Sequence, residues 1–297
     1  MMGKFKMGYF KRQPYHITMV LLMVALIVVT ICIPQVHGGG ADDSNLKEIG
    51  AWGINDYSQN PNFGSLTYAV YDAINFYSWL QNKGFTGSFL KINNEASERH
   101  FEKASVGGLD YLYADACDFV YFAGHGTYDA FHFGISDDNN AYPRKVHYTE
   151  ANWGDKDLEW IFLASCYVLQ EYPSEWDAAF HNPKTLHGIT GFNTYRIDSS
   201  GIGLWFARYL TGSGPYDDPG PYNIKEAWKK AVYQDGNQAF TWAAVYAIVV
   251  VCSAPQPPVH YWNEYLPGYG SGMNPDPPSP QPGLSIYLEY STWQVPL

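Results

Sequence analysis

His125 and Cys166 are the two side chains in this sequence best suited to covalent chemistry. His125 ends the apolar run of "DFVYFAGHGTYDAFHFG" (118–134), and 41 residues later Cys166 ends the run of "LEWIFLASCYVL" (158–169). A cysteine attacks only as its thiolate, so a nearby imidazole that takes its proton is the partner it needs. Glycines flank His125, which permits a tight turn and close approach of a substrate. The amide N–H of Gly126 is then a candidate donor to a developing oxyanion. The chemistry these three residues would support is acyl transfer, with Cys166 as nucleophile and His125 as general acid and base.

For the two side chains to meet, their runs must be neighbouring strands. "DFVYFA" (118–123) and "LEWIFLA" (158–164) are short, continuously apolar and bounded by Gly or polar residues, the pattern of strands buried on both faces. If they are parallel, both reactive residues emerge at the carboxyl edge of the sheet, where sites form in open α/β folds. Other elements alternate around them. "EIGAWGIN" (48–55) reads as a first strand and "GSFLKIN" as a second. Between them a helix carries Ala69, Ile74, Trp79 and Leu80 and ends at Gly84. A helix-prone stretch reaches Asp115. "LHGITGFNT" (186–194) reads as a further central strand, followed by the helices "SGIGLWFARYLTG" and "YNIKEAWKKAVYQDG", and "AFTWAAVYAIVVVC" (239–252) favours a strand. Strands alternating with helices predict an α/β fold, a mostly parallel central sheet with helices on both faces, over residues 45–252. Residues 253–283 hold nine of the nineteen prolines, which excludes regular helix and central strand. Residues 253–297 thus read as an extended excursion wrapping the domain, closed by an edge strand in "LSIYLEYSTWQV".

The first 38 residues read as a targeting segment. Lys4, Lys6, Lys11 and Arg12 precede the apolar run Ile17–Ile33, and Val36 and Gly38 suit a signal-cleavage site. The run is long for a signal core and short for a spanning helix, so a cleaved signal and a retained membrane anchor through 17–33 both remain open. Either places the remainder outside the cytoplasm, extracellular or at the cell surface. Without residues 1–38, 14 Lys+Arg stand against 29 Asp+Glu, a balance that argues against nucleic acid. With Cys32 set aside, Cys117, Cys166 and Cys252 remain. An odd count leaves one thiol without an intramolecular partner; Cys117–Cys252 is the pairing expected here, leaving Cys166 free, and three buried thiols are the alternative.

"FVYFAGHG" followed by "IFLASC" resembles the His-Gly and Ala-Cys signatures of the caspase-like (clan CD) cysteine peptidases, nearest in pattern to CHAT, separase-like and gingipain-like members. In those families the histidine follows one central strand and the cysteine the next. The caspase spacing of roughly 50 residues compares with 41 here. "HGITGFNTYRIDSSGIGLWFARYL" is similar to their small-residue strand, polar loop and helix. Two departures stand out: "ASCYVL" lacks the Gly that follows the cysteine in caspases, and no self-processing linker is evident. The resemblance implies a peptide or protein substrate. It also implies that the loop holding Arg196 and Asp198 contributes to the pocket for the residue before the scissile bond, with Asp198 selecting Lys or Arg, or Arg196 an acidic residue. An ion pair between the two is the plainer alternative.

No cofactor is expected. Asp137, Asp138, Asn139 and Asn140 offer oxygen ligands suited to calcium, but without EF-hand spacing an Asx-rich turn is the default reading. His125, His132 and Cys166 lack paired zinc-ligand spacing. His181 and His187 are expected to face solvent. The function expected is an exported cysteine endopeptidase. A catalytically inactive surface binding protein on the same fold and a thiol acyltransferase are the alternatives.

Overall fold

The computed structural model describes residues 45–137, 141–170, 175–180, 185–239, 245–255, 258–276 and 287–295. The targeting segment with its apolar run 17–33, Cys32, His181 and the stretch 138–140 lie outside them. The described residues fall within one unit, Gly38–Leu297, and none of their helices is long and apolar enough to cross a membrane.

The central sheet is built on five parallel strands. In chain order these are β1 (Glu48–Gly53) and β2 (Thr86–Ile92), then β3 (Phe119–Ala123). A small separate sheet follows, made of β4 (Gly126–Thr127), β5 (Ala130–His132) and β6 (Lys145–His147). The main sheet resumes with β7 (Trp160–Ala164) and β8 (Gly188–Phe192), and ends with β9 (Val245–Pro255), β10 (Pro258–His260) and β11 (Tyr287–Val295). Strand order is β10-β9-β8-β7-β3-β1-β2, with β11 paired along β9. Strands β2, β1, β3, β7 and β8 run parallel, and β9 reverses direction. The fold is α/β with a mostly parallel central sheet.

Every residue of β3, β7 and β8 is buried, which is why their sequences are unbroken apolar runs rather than alternating ones. Side chains still alternate between two layers. Tyr121 and Phe162 meet Phe76 of helix α1 (Ala69–Asn82), and Phe162 meets Phe206 of helix α2 (Ile202–Leu210). Phe206 in turn packs edge-on against Trp228 of helix α3 (Ile224–Ala239). The three α-helices therefore form one layer on one face. Phe122 and Trp52 point the other way, into Phe101, Phe131 and Phe133. That second face is covered by single 3₁₀ turns rather than long helices. The stretch expected to be helix-prone breaks into five of them between Asn93 and Ala116, interrupted by Gly107 in the left-handed region at φ 95°.

Two expectations fail. Cys117 is a buried unpaired thiol directed at the Tyr113 carbonyl. It precedes β3, three strands from the β9 backbone that carries Cys252, and at about 4.8 Å per strand that separation exceeds a disulfide's reach. His187 is not solvent-facing: it is 0% exposed, at the start of β8 and bonded to Glu264.

Candidate functional site

Pairing of β3 with β7 runs in strict parallel register from Phe119↔Trp160 to Ala123↔Ala164. His125 and Cys166 each lie two residues beyond that last pair, so the topology delivers both to the same level of the same sheet edge. The two exits are in contact through Gly126. A Cβ at this position would lie 2.5 Å from the Cys166 carbonyl and 2.8 Å from Ser165 Cβ, so only glycine allows the histidine loop to approach the cysteine loop this closely. The His132 amide donates to the His125 carbonyl at 2.9 Å, which makes 125 and 132 a hydrogen-bonded pair of the β4–β5 hairpin. By alternation, Gly126 and Phe131 are a non-hydrogen-bonded pair, so the Gly126 N–H faces away from β5.

His125 is fixed at both ends. Its backbone N–H donates to the buried Tyr57 hydroxyl at 2.9 Å, which donates to the His132 carbonyl at 2.9 Å. Its ring stacks on Phe63 (4.8 Å between centroids, 27°) and meets Tyr57 edge-on. Ring atom Nε2 lies 2.8 Å from the Gly64 carbonyl, so it carries the proton that this bond donates. Burial pushes the imidazole pKa down, opposed by the Gly64 carbonyl and by the charge of Asp198. His132 lies beneath the same Phe63 ring, 4.3 Å away. Its Nε2 is 2.9 Å from Thr127 Oγ1, and burial, reinforced by Lys145, lowers its pKa to about 3. Both histidines are thus held neutral.

Cys166 bonds to the loop after β8. Its Sγ accepts the Arg196 backbone N–H at 3.2 Å and lies 3.5 Å from the Arg196 carbonyl. Burial raises the thiol pKa, with the Arg196 amide and charge opposing. No hydrogen bond joins this thiol to the His125 ring among the described residues. Tyr167 follows in the left-handed region, at φ 58°. This conformation favours glycine, but the position carries a tyrosine. Its N–H donates to the Thr194 carbonyl at 3.1 Å and its ring meets Tyr195 edge-on at 4.7 Å.

Both charged residues expected at the substrate pocket have partners in the fold. The Arg196 side chain is 4% exposed and pairs with the fully buried Asp72 of α1 at 2.5 Å. Its other guanidinium donors reach the Ala164 and Ser199 carbonyls. Asp72 also accepts the Tyr121 hydroxyl and the Gly203 amide; burial pushes its pKa up to about 6, against the pull of Arg196. Asp198 turns to the other end of α1, accepting the Thr67 N–H at 2.5 Å and the Tyr68 N–H at 3.1 Å. The two do not pair with each other. Sequence reasoning missed Tyr57, Phe63, Gly64 and Asp72. Asp72 left a signal, a carboxylate on the buried face of a helix between Ala69 and Phe76, which calls for a buried cation.

Of the four candidate calcium ligands only Asp137 is described, and it accepts the Ser97 hydroxyl at 2.7 Å. Among the described residues no three His, Cys, Asp or Glu side chains converge as a metal site.

Among solved structures, the chain is similar to the Arg-specific cysteine proteinase gingipain R at 11% identity and a TM-score of 0.46. The likeness covers 67% of this chain and 44% of that one, so less than half of that protein's length is represented. A search of curated proteins finds no match. The sequence itself belongs to a family, the one described as Domain of unknown function (DUF6345), whose model matches residues 51–290.

Proposed function

We propose that the chain is an exported cysteine peptidase in which Cys166 is the nucleophile and His125 the general acid and base. The observation that carries this reading is the exit of both residues from neighbouring parallel strands at one level, with Gly126 against the Cys166 backbone. For catalysis, His125 keeps its Nε2 proton on the Gly64 carbonyl and takes the thiol proton at Nδ1. The thiolate adds to the peptide carbonyl, and the Gly126 N–H, which is not used in the hairpin, donates to the oxyanion. The imidazolium protonates the leaving amine as the C–N bond breaks. Water, deprotonated by the same imidazole, then releases the acid and regenerates the thiol. An amine in place of water would make the same dyad an acyltransferase.

A second reading is an inactive binding protein on this fold. It is favoured by the bonds just described, since His125 is tied to Gly64, Cys166 to Arg196, and burial raises the thiol pKa. One experiment separates the two. The chain is expressed with its own N-terminus in a secreting host, and iodoacetamide labelling of Cys166 is followed by mass across pH, in wild type and His125→Ala. An active dyad gives fast labelling near neutral pH that His125→Ala slows by about 100-fold. Slow labelling that the substitution leaves unchanged would sink the peptidase reading. The intact mass also reports whether residues 1–38 have been removed.

A further inference from the structure

The two charges that act on the reactive pair, Arg196 and Asp198, both already have partners. Arg196 is turned into the core against Asp72, and Asp198 is engaged by two backbone amides. The residue after Cys166 and the loop bonded to its sulfur carry aromatic and apolar side chains, Tyr167, Tyr195 and Ile197. Tyr195 is 66% exposed, Ile197 of the same loop is exposed, and so is Tyr68, whose N–H donates to Asp198 of that loop. Tyr128 is exposed at the tip of the hairpin that begins with Gly126. Nearest in sequence to the sulfur is Tyr167, whose ring packs edge-on against Tyr195.

Two features indicate that this aromatic pair is a built wall rather than incidental exposure. Backbone bonds from Tyr167 N–H to the Thr194 carbonyl, and from Arg196 N–H to Cys166 Sγ, tie the two loops together. The backbone segments that carry the two rings are thereby held together beside the thiol. Secondly, Tyr167 holds φ 58°, a conformation that glycine adopts without cost and a large side chain does not. Strain of this kind clusters at functional sites.

Resting on the peptidase reading, we propose that Tyr167 and Tyr195 form the wall of the substrate subsite at Cys166, and that the side chain they select is aromatic or large and aliphatic, not charged. A flat ring presents the edge and face that an aromatic substrate group pairs with.

The test uses the full chain and three acyl-aminoacyl chloromethyl ketones, bearing Phe, Lys or Asp, with Cys166 alkylation followed by intact mass. Each rate is normalised to the iodoacetamide rate of the same variant. The Phe probe is expected to exceed the Lys and Asp probes by about tenfold or more. Tyr195→Ala and Tyr167→Gly are each expected to cut the Phe-to-Lys ratio several-fold, while Tyr167→Phe retains it. Tyr167→Gly is also expected to raise the unfolding midpoint, since it relieves the left-handed conformation, so loss of folding does not confound the result. A faster Lys or Asp probe, or a ratio that neither substitution moves, overturns the proposal while His125-dependent iodoacetamide labelling leaves the peptidase reading standing. If no probe outpaces its reaction with free cysteine and labelling is independent of His125, both fall together.

Discussion

The two edges of the central sheet treat histidine in opposite ways. At the carboxyl edge, His125 and His132 lie against aromatic rings and hydrogen-bond to neutral groups, and burial lowers both pKa values although Asp198 and Asp129 oppose it. At the amino edge, His187 lies between two carboxylates, Glu264 at 3.0 Å and Asp276 at 3.4 Å. Burial there opposes the charge, but Glu264 and Asp276 outweigh it and raise the pKa to about 8. Trp160 donates to Glu264 at 2.7 Å and the Asn274 amide at 2.9 Å, so the cluster fastens the Pro-rich segment to strands β7 and β8. A charged imidazole suits a clamp. A neutral one, ready to accept a proton, suits chemistry. Behind the reactive pair, the carboxyl edge also holds a buried charge pair, the Arg196–Asp72 bridge.

That bridge is where the comparison is easiest to break. Arg196→Met removes one partner of an ion pair whose side chains are 4% and 0% exposed and leaves Asp72 buried without its cation. The expected loss is about 3–5 kcal/mol, a large share of the stability of an ordinary domain, read as a drop in the urea midpoint. A loss below about 1 kcal/mol would mean that water reaches the pair, and that the two edges differ less than their geometry implies.

The amino-edge clamp gives a smaller effect with a definite sign. His187 has a folded pKa of about 8 against about 6.5 unfolded. Its contribution is therefore fully present below pH 6.5 and is lost as pH rises through 8. The shift corresponds to about 2 kcal/mol. Asp118, on the same edge, has its pKa pushed up to about 8, chiefly by burial, and acts in the same direction as pH rises. Stability is expected to fall between pH 6.5 and 8.5, and His187→Gln to remove its part of that slope. An unchanged slope in the variant would show that His187 is neutral in the fold, like its counterparts at the other edge.

Much of this contrast could not be read from the chain. Strands β3, β7 and β8 were legible because burial on both faces writes an unbroken apolar run. Their parallel register then carried His125 and Cys166 to one edge, as the caspase-like resemblance implied. The β4–β6 sheet was not legible, because strands of two and three residues are too short to display a period. The partners of His187 and Arg196 were hidden by distance along the chain: Glu264 is 77 residues from the one and Asp72 124 from the other. A local reading therefore gave His187 to solvent, and the resemblance offered Arg196 or Asp198 to a pocket without revealing Asp72. What sequence does record is the anomaly, such as a lone carboxylate on an apolar helix face, without naming the partner that resolves it.

The smallest effect is the one that most sharpens the account of the reactive edge. Asp198 accepts two amides at the amino end of α1, where a carboxylate satisfies donors the helix leaves unpaired and meets the positive end of its dipole. As a cap it should be worth about 1 kcal/mol, so Asp198→Ala is expected to lower the urea midpoint slightly and Asp198→Asn by less. As the charge that reads a basic substrate residue, it would instead leave stability nearly untouched and abolish reaction with the Lys probe. The two roles thus separate on one pair of measurements. A cap loses stability with the Phe-to-Lys ratio little changed, because the charge was already committed to the helix. A loss confined to the Lys probe would return Asp198 to the pocket and place charge, not aromatic surface, at the front of the reactive edge.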